Sequence, residues 1–278
     1  MLYLLLAILC SMAVSVAMRI SEKYSPNPTS RLATNYIMCC VVAGAFAGGP
    51  ARLFPAEPGL PAALAWGILG GVLFLASFLL LQYNIAKSGL VLPTTFMKLG
   101  VIVPVVLSVA AFGEAPRLTQ AFGLVLALAA ILLLGGKDRV QSRALLPLLA
   151  LLFVGGFADS MTKIYGEVGQ ASLSNHFLFY IFFSALILCV ALCLIRHEPI
   201  TWADAGFGLV IGVPNYLSSR FLYKALETIP AVAAHPSYSV GTIILVTLVG
   251  VVAFRERLEK RKILALVLIL AALVLLNV

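Results

Sequence analysis

The chain has 278 residues, 62% of them hydrophobic and only 11% charged, with a mean hydropathy of +1.07. Soluble domains carry about 25% charged residues, and a water-soluble core of this length could not hide so much apolar surface, so the composition excludes a soluble globular protein. The formal charge of +8 would suit nucleic acid, but the basic residues are dispersed over short connectors with no patch or binding motif, so no nucleic-acid partner is expected.

A membrane-spanning helix needs about 20 mostly apolar residues. The first candidate, Leu2–Ile20, lacks the basic start of a signal peptide and is long enough to span, so it reads as a retained helix. Next come Leu32–Ala47, Ala62–Gln82, Val91–Phe112 and Thr119–Leu134. After the polar connector GGKDRVQSR, the pattern predicts Leu145–Ile164, Asn175–Ile195, Asp204–Tyr223, Ala231–Phe254 and Lys262–Asn277. The connectors are short, so neighbouring segments run antiparallel.

The chain also repeats itself. Phe112–Leu134 aligns with Phe254–Leu276 at an offset of 142 positions, with 10 of 23 residues identical and Glu114 matched to Glu256 in the turn. This divides the sequence into a first five-helix repeat at 1–136, a connector at 137–144 and a second five-helix repeat at 145–278. Five spans per half make the second half enter the membrane from the opposite side. The expected fold is therefore an all-α membrane protein of ten transmembrane helices in two inverted-topology repeats, as in secondary transporters.

With the N-terminus outside, twelve basic residues fall in inner connectors: Lys23, Arg31, Lys87, Lys137, Arg139, Arg143, Arg196, Arg255, Arg257, Lys260, Arg261 and Lys262. Arg52 and Arg117 fall outside, and a third, Lys224, if the end of the eighth segment is counted. The positive-inside rule then favours both termini outside. Cys10, Cys39, Cys40, Cys189 and Cys193 all lie in apolar stretches with no metal-ligand spacing, so no metal, cofactor or disulfide framework is expected.

The motifs Ser88–Gly135 and Ile229–Leu276 share a small-residue helix start, an aliphatic helix, a turn with Glu and a Gly/Ala-rich last helix. Gly67, Gly70 and Gly71 answer Gly206, Gly208 and Gly212 in the other half. In these features the chain resembles EamA-type members of the drug/metabolite transporter superfamily. The resemblance implies movement of small metabolites without ATP, often export of amino acids or related compounds. It also implies both termini inside, against the charge count. The charge-free termini depart from the family pattern.

Ionisable side chains at membrane depth are functional candidates because an unpartnered charge there is costly. Here most are cationic, which points to an anionic or zwitterionic substrate such as an amino acid or organic acid. Lys98, with Thr94 and Thr95 one turn earlier, is the sharpest candidate, against the alternative of a lysine snorkelling to headgroups. Arg220 can clamp a carboxylate or phosphate with its planar fork, and Asn215 and Tyr216 share its helix. Tyr83 and Tyr238 offer hydroxyls or ring faces, and Arg19 is either a pathway cation or a topology charge. Asp159 and Lys163, spaced i, i+4, read as an ion pair or a proton relay, and His235 is a second candidate for proton coupling. Glu114 and Glu256 read as complements to the dipoles of the fifth and tenth helices. The glycines read as places of close helix approach.

The function expected is an alternating-access secondary transporter with a small-molecule substrate, surrounded by membrane lipid and acting as a monomer or homodimer in a bacterial inner membrane. The alternatives left open are a flippase for an anionic lipid, export of drug-like compounds, and a membrane-embedded enzyme. The last lacks a clustered acid/base or metal set.

Overall fold

The computed structural model describes residues 1–25, 27–88, 91–134, 142–254 and 260–277. Among them all regular structure is helical. The α-helices are α1 (Leu2–Ser21), α2 (Pro28–Phe46), α3 (Leu60–Ser88), α4 (Val91–Leu99), α5 (Ile102–Phe112), α6 (Leu118–Leu134), α7 (Ser142–Val168), α8 (Ser174–Arg196), α9 (Trp202–Leu226), α10 (Ala231–Phe254) and α11 (Lys260–Asn277). Glu256, most of the 137–144 connector and the Thr95 side chain lie outside the described residues.

The ten expected segments correspond one to one with these helices, except the fourth. That segment is broken into α4 and α5 at Gly100 and Val101. The cause is local. Pro104 has no N–H to give to the Gly100 carbonyl, which the Val103 N–H takes instead at 2.9 Å. Tight three-residue bonds from Gly100 to Met97 (3.2 Å) and from Val101 to Lys98 (3.3 Å) complete the break.

Among the described residues, five stretches are long and apolar enough to cross a bilayer by themselves: Leu2–Ser21, Leu60–Ile85, Leu145–Val168, Ala171–Arg196 and Ala231–Ala253. Helix α2 is more polar, and its polar side chains are turned into the protein. Thr29, Ser30, Arg31, Thr34 and Asn35 are all buried along it. Lipid-type surface shows elsewhere, as at Leu2, Leu5 and Leu9 on α1 and at Leu264, Val267 and Val274 on α11.

Packing divides the helices into two compact units that do not follow the sequence halves. One holds Met1, Ala76–Lys163 and Ala225–Val278; the other holds Leu2–Leu75 and Ile164–Lys224. In the first unit α6 lies along α11 and α5 against α10. Ala127, Ala130, Ile131, Val240, Ile269 and Ala272 form the core there. In the second unit α2 lies along α8. Gly67 and Gly71 bring α3 onto α8, where a Cβ would fall 2.4 Å from Tyr180 Cβ and 1.9 Å from Ser184 Oγ. Gly208 and Gly212 do the same for α9 on α2, with a Cβ only 1.8 Å from Thr34 Oγ1 and 2.5 Å from the Asn35 carbonyl.

The seams are reciprocal. Counting the ten segments, the second packs on the seventh, the fourth on the ninth and the fifth on the tenth. The third crosses the seventh through glycines just as the eighth crosses the second. This pairing is what a duplicated five-helix unit produces.

Candidate functional site

The first unit carries Lys98 in the last turn of α4, two residues before the break. At the break, α7 passes with almost no space between backbones. A Cβ on Gly156 would lie 2.5 Å from the Gly100 carbonyl, and one on Gly100 would lie 2.9 Å from the Leu152 carbonyl. Only glycine at both positions allows this approach. It brings half-buried Lys98 within electrostatic reach of Asp159, one turn beyond Gly156 on α7.

Asp159 is solvent-accessible although it sits deep in an apolar helix. Phe153 and Phe157, also exposed, mark the outward face of α7. Two residues turn a helix by about 200°, so Asp159 opens on the opposite side, away from that lipid-type surface. An acid and a base therefore stand within electrostatic reach of one another beside a helix break. Thr94 is half-buried one turn before Lys98.

Lys163 has a partner that spacing alone did not reveal. It is buried, and its Nζ donates to Glu114 Oε1 at 2.5 Å. The expectation that Glu114 complements its own following helix is corrected: Glu114 Oε2 accepts the N–H groups of Ala231 at 2.7 Å and Val232 at 3.3 Å, capping α10. The orphan amides at a helix start and its positive dipole end both favour a carboxylate there.

The local chain fixes this aim. Gly113 ends α5 at φ 68°, a left-handed conformation natural only to glycine, and the N–H of Glu114 bonds back to Ser108 O at 3.0 Å. His235, one turn into α10, is 2% exposed, and its Nε2 has no hydrogen-bond partner among the described residues. Tyr238 is half-buried on the same helix. A cavity of about 300 Å³ adjoins Glu114, lined also by Arg117, Gln120, Thr228 and Asn277. Tyr83 is exposed and accepts a hydrogen bond from Lys87, whose ammonium stands 4.3 Å above its ring.

In the second unit Arg220 is gripped. Its guanidinium lies 3.9 Å over the Phe46 ring, and Nη1 donates to Asn175 Oδ1 and to the Tyr216 hydroxyl at 3.4 Å. Tyr216 is fully buried, stacked on Phe46 and set edge-on to Phe182. Asn215 Nδ2 donates to Asn35 Oδ1 at 3.2 Å and to Cys39 Sγ at 3.7 Å. Arg19 is exposed in the last turn of α1.

Sequence reading missed a polar knot built on fully buried Asp204. Its carboxylate accepts from the Ser25 and Thr201 hydroxyls, from the Thr201 and Asn27 amides, and from Asn27 Nδ2. The Thr201-x-x-Asp204 spacing at a helix start was the available signal. Among the described residues no group of three or more His, Cys, Asp or Glu could hold a metal ion. The five cysteines form no disulfide.

Stacked apolar helices with buried ion pairs and glycine crossings define an integral, multi-pass membrane protein of the all-α class. Residues 144–278 match the EamA-like transporter family. That match bears out the resemblance drawn from the sequence. An uncharacterized protein of Haemophilus influenzae is 25% identical over 288 residues, covering 97% of this chain and 95% of that one. A chain of known crystal structure, 17% identical, superposes with a TM-score of 0.78 over 99% of this chain and 94% of its own, which shows a shared fold.

Proposed function

We propose that the protein is an alternating-access secondary transporter for a small zwitterionic metabolite of amino-acid type, seated in a bacterial inner membrane. One observation carries the substrate class: Lys98 and Asp159 lie within electrostatic reach of one another where α7 crosses the break between α4 and α5. A zwitterion matches such a pair, its carboxylate meeting the Lys98 ammonium and its ammonium meeting Asp159. A plain anion would meet Asp159 as a repulsive neighbour, and a plain cation would meet Lys98 the same way.

The break adds direction. The start of α5 turns a positive dipole end, and the finish of α4 a negative one, towards the same place. Breaking the fourth segment there leaves backbone groups that a polar ligand can use. Arg220, already held by Phe46, Asn175 and Tyr216, acts as a fixed positive strut rather than as the first ligand of the substrate. Net movement then follows from unequal substrate binding in the two access states.

The test is counterflow in proteoliposomes with neutral amino acids, organic acids and organic cations, paired with thermal shift on purified protein. Amino acids should both stabilise the protein and exchange, and Lys98→Ala and Asp159→Ala should each abolish both signals. Stabilisation by organic acids alone, unaffected by Asp159→Ala, would refute the zwitterion site. Copurified anionic lipid that blocks every soluble substrate would turn the reading towards a lipid flippase.

A further inference from the structure

Four charges of the first unit form a chain: Lys98 within electrostatic reach of Asp159 across the Gly100–Gly156 crossing, Asp159 one helical turn from Lys163, and Lys163 on Glu114, which holds the first amides of α10. We propose, resting on the transport reading above, that this chain is a relay by which an occupied substrate site unlatches the start of α10, with Glu114 as the positioning residue of the gate.

In the structure Asp159 has Lys98 in reach and Glu114 has Lys163 at 2.5 Å, so both acids have a cation. A substrate carboxylate that takes Lys98 leaves Asp159 seeking another. Lys163 sits four residues on, about 6 Å along the same helix and on the same face, within the span of a lysine side chain. Drawing Lys163 towards Asp159 takes the cation from Glu114.

Glu114 is then a carboxylate of 18% side-chain exposure beside a cavity of about 300 Å³, held only by the Ala231 and Val232 amides and free to be hydrated. The turn between α5 and α6 loses its tie to α7, and α10 loses a fixed cap.

Removing the Lys98 charge imitates an occupied site without needing the substrate. Hydrogen exchange of the Ala231 and Val232 amides, read on the full-length protein in nanodiscs, then reports the latch directly. Lys98→Met should speed exchange there about tenfold, since the latch opens more often. Lys98→Met combined with Asp159→Asn should return it to the wild-type rate, because nothing then pulls Lys163. Glu114→Gln should speed exchange whatever stands at 98.

The relay is wrong if Lys98→Met leaves these amides as slow as in wild type, if the double variant stays as fast as the single one, or if Glu114→Gln is silent. Lys98→Gln replaces Lys98→Met should the latter fail to fold, with the same expectations. The measurement uses no substrate, so a failure of counterflow would sink the transport reading alone, and slow amides would sink the relay alone.

Discussion

Gly156→Ala puts the contact between α7 and the α4–α5 break to a quantitative test. The added methyl would lie 2.5 Å from both the Gly100 carbonyl and Val103 Cγ2, and 2.6 Å from Val103 Cβ. Carbon atoms rest at about 3.5–4.0 Å, so the two elements must part by at least about 1 Å. None of the three atoms is the free end of a flexible side chain. Overpacking of this kind costs about 1–3 kcal/mol, against a helix-propensity gain of up to about 1 kcal/mol for replacing glycine in a helix. Taking the upper cost less the full gain, the net loss is about 2 kcal/mol, which for a chain of this size lowers the melting temperature by roughly 4–8 °C. The parting also separates Lys98 from Asp159, so stabilisation by substrate should fall by more than the melting temperature alone implies. Gly166→Ala is the control on the same helix, because no atom lies within 4 Å of its Cβ position; its melting should hold or rise slightly. Scanning fluorimetry of the two variants, with and without amino acid, reads both effects. If Gly156→Ala melts with wild type and binds substrate as well, the close crossing does not set the site and the reasoning fails.

Arg220→Lys should cost about 1–2 kcal/mol, because an ammonium cannot lie flat on Phe46 while also reaching Asn175 and Tyr216; melting equal to wild type would count against the strut. Asp204→Ala strands the Ser25, Asn27 and Thr201 donors inside the second unit and should cost about 2–4 kcal/mol, with Asp204→Asn milder, as urea or thermal unfolding can show. For topology, a protease site fused before Met1 should be cut by external protease on intact spheroplasts if the dispersed lysines and arginines set the orientation, and should be protected if the family pattern rules instead.

The helices were legible because lipid demands long apolar runs, and their order and count followed directly from hydropathy. The break in the fourth segment was also written in the chain, in Gly100 and Pro104 four residues later, but an unbroken apolar run conceals it. Glycines at 71, 208 and 212 read as sites of close approach and are so, and Gly67, matched only for its glycine-rich segment, is one as well, whereas Gly206 has no neighbour within 4 Å. Gly100 and Gly156 went unnoticed because a crossing needs both partners, and they lie 56 positions apart. Charge partners were the hardest to foresee. The i, i+4 rule sees only one helix, so it offered Asp159 for Lys163 and missed Glu114, which arrives from a turn 49 residues earlier. Arg220 suffered the same way: its grip comes from Phe46 and Asn175, on other helices.

The reciprocal seams carry an evolutionary constraint. Where a segment rests on its own counterpart, as the second, fourth and fifth do, a mutation on one side of the seam changes the surface its sibling must fit. The halves are then unable to drift independently. Residues of the second and seventh segments, or of the fifth and tenth, should change together among homologues across some 140 positions of chain, a long-range correlation that loops and lipid-facing positions will lack.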